Sequence, residues 1–151
     1  MMRSFHTKPY MLANEEGQFL QSLGTLVTIK ATTEQTGGLF NLFEVSCPPH
    51  YATPLLIHYT EDVVVYILQG TLTCFWGSEK RKAIAGSFSY QPRGIPHGFR
   101  LEGDTPARIL YMTIPAGFDR FILERKPPTP ESDPEVDAAR YKIEILGPLP
   151  E

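Results

Sequence analysis

The sequence predicts an all-β protein, a sandwich or barrel of short strands followed by short C-terminal helices. From Thr25 to about Thr113 the chain consists of short runs rich in Val, Ile, Leu, Phe, Tyr and Thr, separated by Gly, Pro and acidic turn residues. Runs of this length and composition are typical of strands in all-β folds. With 151 residues and 42% hydrophobic content, the chain has room for one domain, residues 1–151.

Alternation and turn residues define the strands of the barrel core, about residues 25–114. The run Val63–Leu68 is apolar on both faces, which indicates that both faces are covered. One face would line the interior, whereas the outward side chains of Val64, Tyr66 and Leu68 need a second sheet or a partner chain. The predicted strands are Thr25–Ala31, Leu39–Val45, Leu55–Tyr59, Val63–Leu68, Thr71–Trp76, Lys82–Ala85, Ser87–Gln91, Gly98–Leu101 and Ala107–Thr113.

The C-terminal extension, about residues 115–151, has a helical pattern. Three apolar residues share one face of its first helix. Ser132 or Asp133 is placed to cap a second helix that has proline at its first position. The predicted elements are a helix at Phe118–Arg125, a proline-rich linker at Pro127–Pro130, a helix from Pro134 to about Tyr141 and a strand at Ile143–Leu146.

Composition and charge exclude several classes of function. The net charge of −3 arises from interspersed acidic and basic residues without a basic stripe, so nucleic acid is not an expected partner. No signal-like segment and no apolar run of roughly 20 residues is present, so we expect a cytoplasmic protein without membrane contact. In that reducing compartment Cys47 and Cys74 are expected to remain free thiols.

Two segments place histidine, proline and glycine at the spacing of a metal-binding pattern. Residues two apart on a strand face the same side, so a His-x-His pair would present two imidazoles together, and an acid on a neighbouring strand can face them. Such a set can hold a divalent metal and leave positions open for substrate. The first segment runs from His50 through His58 to Gly70, and the second runs from Gly86 through Pro92 and Gly94 to His97.

These two segments resemble the signature motifs of the cupin family. The first cupin motif is Gly, five residues, His-x-His, three or four residues, Glu, six residues and Gly; the second is Gly, five residues, Pro-x-Gly, two residues, His, three residues and Asn. The spacing matches throughout, but only His58 and His97 remain of the four expected ligands. The replaced positions are His50 for the first glycine, Leu56 for the first histidine, Val63 for the glutamate and Leu101 for the asparagine.

From about Leu39 to Pro148 the chain looks like the quercetin dioxygenase-like branch of cupins. The resemblance rests on Pro92–Arg100, Pro106–Phe118 and Ala139–Pro148. It implies a cupin jelly-roll barrel, usually paired as a homodimer. The chemistry of that branch ranges from metal-dependent oxygen cleavage of flavonols to reactions on polyketide and aromatic compounds, so the resemblance implies an architecture rather than one activity.

The two remaining histidines, His58 and His97, are the candidate site residues. Leu56 and Val63 offer no lone pair and should both point inward, on adjacent antiparallel strands joined by a turn at Thr60–Asp62. Two imidazoles would hold a divalent transition metal only weakly, because catalytic metals usually have three protein ligands. The same histidines could instead act as catalytic proton-transfer groups toward an organic ligand. They could also be inner-face residues without a functional role.

The predicted pocket suits an apolar or aromatic small molecule better than a sugar phosphate. Glu61, at the turn between two strands, is expected to be a solvated corner, and His50 is expected at the rim. The predicted pocket residues are Leu56, Val63, Val65, Tyr90 and Tyr111.

Three functions follow from this pattern. The first is a metal-dependent, dioxygenase-like enzyme that uses His58 and His97 with an additional ligand. The second is a metal-free isomerase or cyclase with histidine as the acid or base. The third is a non-catalytic module that binds a small molecule.

Overall fold

A computed structural model describes residues 7–124 and 130–151 and shows two antiparallel sheets with short helices. This confirms the all-β prediction. Of the predicted linker, only Pro130 lies within the described residues, and there no helix is long and apolar enough to cross a bilayer. The elements are β1 Gln18–Ser22, β2 Thr25–Ala31, α1 Thr33–Thr36, β3 Asn41–Cys47, β4 Leu55–His58, β5 Asp62–Gln69, β6 Leu72–Trp76, β7 Glu79–Ala83, β8 Phe88–Gln91, β9 His97–Leu101, β10 Ala107–Ile114, α2 Phe118–Glu124, α3 Pro134–Ala139 and β11 Ile143–Gly147.

The sequence did not predict β1 and α1, and both have weak local signals. Strand β1 pairs with β2 at the edge of its sheet and is largely exposed, so it lacks apolar alternation. Helix α1 is a single turn that depends on a capping box between Thr32 and Gln35. The predicted cap of α3 is confirmed, because the Asp133 side chain accepts from the amides of Glu135 and Val136.

The sheet order corrects one prediction about the interior. The six-stranded sheet has the order β1-β2-β3-β10-β5-β8 and the five-stranded sheet has the order β11-β4-β9-β6-β7. The sequence had suggested that β4 and β5 are neighbouring strands, but the two lie in different sheets. The turn between them crosses from one sheet to the other, so Leu56 and Val63 line the interior from opposite sheets.

Two buried polar residues fix α2 against the barrel. The Asn41 side-chain oxygen accepts from the amides of Gly117 and Asp119, at 2.9 and 3.2 Å. The Asp119 carboxylate in turn accepts from the amide and hydroxyl of Thr33, at 2.8 and 2.6 Å. Because buried polar groups without partners are costly, these bonds fix where α2 can lie. The apolar face of α2, including Phe118, is thereby held at the cavity described below.

The outer face of the six-stranded sheet carries an apolar row beside β5. Tyr66 is 42% exposed and Phe88 is 65% exposed, and the two are direct partners across β5 and β8. The aromatic residues Phe118 and Phe121 of α2 line the interior and leave this row exposed. A contiguous exposed apolar patch favours association with another protein surface.

We therefore expect the chain to pair with a second copy through this row. Light scattering at micromolar concentration should give the mass of a dimer, and Tyr66→Glu with Phe88→Glu should give a monomer, because two buried carboxylates would oppose pairing. The control is Val136→Glu, which places one such charge at an exposed apolar residue of α3. A wild-type monomer would contradict this expectation.

Candidate functional site

The interior between the two sheets contains a cavity of about 420 Å³ with an apolar wall. This volume falls within the range that accommodates small organic ligands. None of the described residues lining it is Asp, Glu, Lys or Arg. The lining residues are Ser22, Leu23, Thr25, Val27, Phe43, Val45, Tyr51, Ala52, Thr53, Pro54, Leu56, His58, Phe99, Ile109, Tyr111, Phe118, Phe121, Ile122, Pro134, Ala138, Ile143 and Ile145.

His58 is the histidine on the wall of this large cavity, and both of its ring nitrogens have neighbours. Nδ1 lies 2.6 Å from Glu61 Oε1, and Nε2 lies 3.4 Å from the Tyr111 hydroxyl. An ionised carboxylate can only accept, so Glu61 holds the His58 proton on Nδ1 and leaves Nε2 with a free electron pair. Burial raises the pKa of Tyr111, which keeps its hydroxyl protonated and able to donate to Nε2.

The burial of Glu61 corrects the prediction of a solvated corner. Glu61 is 7% exposed, and its second oxygen accepts from Thr60 Oγ1 at 2.8 Å. The segment around Gly94 covers the turn, since the Gly94 amide donates to the His58 carbonyl at 2.8 Å and the Arg93 amide donates to Asp62 at 2.9 Å. The sequence contained one indication of the His58–Glu61 contact, namely their i, i+3 spacing, because a tight turn brings such residues together.

His97 stacks against His58 but lines a different cavity. The ring centroids are 5.4 Å apart and the ring planes differ by 16°. His97 Nδ1 lies 3.2 Å from the Ile95 carbonyl oxygen, to which it donates. The ring lines a second cavity of about 40 Å³, whose wall shares Thr53, Leu56, Phe99 and Tyr111 with the large one. Burial, followed by the nearby His58, lowers the pKa of His97 to about 4, so His97 is neutral near neutral pH.

Comparison with known proteins agrees with this architecture. The cupin domain model matches residues 43–113, the part of the chain that contains both motifs and both histidines. These residues form a cupin domain. The similarity to a known structure extends further, because KdgF from Halomonas sp. superposes with a TM-score of 0.61 at 21% identity, over 73% of this cupin and 98% of that chain.

Two other proteins with different activities in their names are also similar to this chain. Quercetin 2,3-dioxygenase of Bacillus subtilis (strain 168) is 27% identical over 103 residues, which are 68% of this cupin and 31% of that protein. This cupin thus spans about a third of the length of the curated relative. The Streptomyces nucleoside dehydratase Pac13 superposes with a TM-score of 0.59 at 15% identity, over 75% of this cupin and 88% of that chain. At 15% identity, this superposition shows that the two proteins share a fold.

The predicted pocket residues of this cupin divide into three groups. Leu56 and Tyr111 line both cavities, whereas Val63 and Val65 line the small one. Tyr90 was predicted wrongly, because it is 54% exposed and lies on the outer face of β8. The reason is strand parity: Gln91 pairs with Val63 and is buried, so the adjacent Tyr90 must point outward.

Two further side chains are not among the predicted site residues. His50 forms a surface pair with Asp104, with Nε2 and Oδ1 2.9 Å apart. Cys74 lies on the wall of the small cavity, and burial raises the pKa of its thiol. Cys47 and Cys74 are both free, as the sequence predicted.

The lowered pKa of His97 predicts acid sensitivity. Between its ordinary value of 6.5 and about 4, the unfolded chain binds a proton that the folded ring does not bind. The free energy of unfolding should therefore fall as the pH decreases through this window, by up to about 3 kcal/mol. Urea unfolding across the window should show a shallower pH dependence for His97→Gln than for the wild type. His50→Gln is the control, and equal slopes for all three proteins would contradict the assignment.

Proposed function

We propose that this cupin binds an apolar, aromatic compound in the large cavity and acts on it by proton transfer, with His58 as the general acid or base. The observation that carries this proposal is the arrangement of His58 on the cavity wall, with Nδ1 on the buried carboxylate of Glu61 and Nε2 toward Tyr111, another residue of that wall. A histidine oriented by a carboxylate is a common arrangement for general acid–base catalysis.

The arrangement supports one direction of transfer in particular. His58 Nε2 accepts a proton from the ligand, and the Glu61 carboxylate stabilises the imidazolium that results. The Tyr111 hydroxyl, at 3.4 Å, is a weak partner that a ligand atom can displace from Nε2. His58 can then return the proton to another ligand atom, which allows an isomerisation or an elimination.

The lining of the large cavity supports the class of ligand. Among the described residues, the titratable groups on its wall are His58, Tyr51 and Tyr111. Burial is the main reason that the pKa of Tyr51 rises to about 12, and burial also raises the pKa of Tyr111. Both tyrosines are therefore neutral donors. Without a cationic side chain among its described residues, the wall offers little to a phosphate or carboxylate. Phe118 lies 5.4 Å from the His58 ring, between centroids, and offers an aromatic contact to a flat ligand.

The donor set does not fit the divalent metal that the cupin resemblance implies. Among the described residues, no group of three or more His, Cys, Asp and Glu side chains could hold a metal ion. Leu56 and Val63 lack lone pairs, and Glu61 directs its oxygens to His58 Nδ1 and Thr60. Catalytic sites usually need three protein ligands. The metal-independent function therefore has the better support.

Deuterium exchange tests the proposal without knowledge of the natural reaction. Aryl ketones of a size suited to about 420 Å³ would be incubated with the protein in D₂O and followed by NMR. We expect exchange at the carbon next to the carbonyl to be faster than in buffer, since a histidine base can remove that proton. Binding without faster exchange would overturn the catalytic part and support a non-catalytic module. Absence of binding would overturn the proposed ligand class.

A further inference from the structure

The small cavity contains a buried amide group with an unsatisfied oxygen. Gln91 is 6% exposed, and its Nε2 donates to Ser89 Oγ. Its Oε1 is buried without a hydrogen-bond partner in the described part of the chain. Buried polar atoms in folded proteins are nearly always paired, so an unpaired amide oxygen at a cavity wall indicates a missing partner.

His97 supplies a second polar group to the same cavity. Its Nδ1 is engaged by the Ile95 carbonyl, so Nε2 is the ring atom left for a ligand. Around these two groups the wall is mostly apolar and includes Val63 and Val65. The cavity volume of about 40 Å³ suits one small polar group rather than a ring.

We propose that the small cavity is a subsite for a hydroxyl group of the ligand, held by the Gln91 amide and the His97 ring. This inference rests on the proposed binding of an aromatic compound in the large cavity. The two cavities share Leu56 and Tyr111 in their walls, so they adjoin, and the proposal places a ring in the large cavity with its substituent directed toward Gln91. The ligand class is thereby narrowed to phenols and other aromatic compounds that carry a hydroxyl group.

A hydroxyl group fits this subsite better than a charged group does. It donates to Gln91 Oε1 or His97 Nε2 and also accepts, so it complements the amide in either of its two orientations. An ammonium or carboxylate would be buried among apolar side chains without an opposite charge, which is costly. A single water molecule is the competing occupant, since it has the same hydrogen-bonding groups.

A matched pair of probes tests the subsite. Calorimetric titration would compare 2-naphthol with 2-methylnaphthalene, which has a methyl group in place of the hydroxyl. We expect the wild type to bind 2-naphthol at least about tenfold more tightly, because the methyl group leaves the Gln91 oxygen unpaired. In Gln91→Met this preference should shrink to the part that His97 supplies, whereas 2-methylnaphthalene should bind at least as tightly as before because no oxygen is left unpaired. Gln69→Met, the same change at an exposed residue of β5, should retain the preference.

The outcomes separate this inference from the proposed function. Equal binding of both probes by the wild type would overturn the subsite, assign water to the small cavity and leave the aromatic site intact. If neither probe binds, the aromatic site itself fails. A second measurement uses the wild type alone: the NMR signals of the Gln91 side-chain amide should shift with 2-naphthol and stay unchanged with 2-methylnaphthalene. An unchanged signal with bound 2-naphthol would also overturn the subsite.

Discussion

Replacing His58 by glutamine is expected to slow deuterium exchange of a bound aryl ketone by about two to four orders of magnitude. Glutamine keeps a polar side chain of similar length but cannot accept a proton at the position of Nε2. His58 is 2% exposed and is the histidine on the wall of the large cavity, so solvent cannot readily replace it as the base. Affinity for the ketone should change much less than the exchange rate.

Two variants control this prediction. His50→Gln makes the same substitution at the surface pair with Asp104 and should leave exchange unchanged. Glu61→Gln keeps the shape of the buried partner but removes the charge that stabilises the imidazolium, so it should slow exchange by roughly ten- to a hundredfold. A His58→Gln protein that remains folded and exchanges at the wild-type rate would show that another group is the base.

Most strands were predictable from the sequence because they depend on local alternation, which β1 lacks, whereas their assignment to sheets was not. Strand β5 alternates between buried Val63, Val65 and Ile67 and the outward Val64 and Tyr66, and this pattern is visible in the residues themselves. Nothing in the turn at Thr60–Asp62 shows that the chain changes sheet there. Sheet membership depends on long-range pairing, here between Leu56 and His97 and between Val63 and Thr113.

The site residues that could be predicted from the sequence are those on strands whose inward positions are given by the motif spacing. His58, His97 and Leu56 follow from the motif spacing, and the structure places all three at the two cavities. Glu61 was missed because charge in a turn is normally solvated, and the local sequence does not show that the distant Arg93–Gly94 segment bonds to this turn. Gln91 was missed because its inward orientation follows from the pairing of β8 with β5, in which Gln91 lies opposite Val63, and the sequence does not show that pairing.

His58 and His97 give the two cavities different chemical properties. His58 has a carboxylate partner, which favours a proton on its ring during a reaction. His97, stacked 5.4 Å away, bonds to a carbonyl and has a lowered pKa, so it remains neutral when His58 gains a charge. One histidine is therefore suited to proton transfer and the other to hydrogen bonding.

Restoring the two missing ligands is expected to create a metal site. Leu56→His with Val63→Glu should raise the affinity for nickel or cobalt by about two orders of magnitude or more, because the number of protein ligands rises from two to four. Leu56 is the direct strand partner of His97 and lies two residues from His58, while Val63 faces the same small cavity from the other sheet. Calorimetric titration of both proteins with nickel measures the change.

The metal-free double variant should also be less stable than the wild type, by several kcal/mol, because Val63 is fully buried and an unpaired carboxylate there loses its hydration. Nickel should restore the melting temperature, since it neutralises the new carboxylate and binds only the folded chain. Leu56→Gln with Val63→Gln is the matched control, with similar volumes and polarity but without strong ligands. Equal nickel affinities for the wild type and the His/Glu variant would mean that the native chain already has metal ligands beyond His58 and His97.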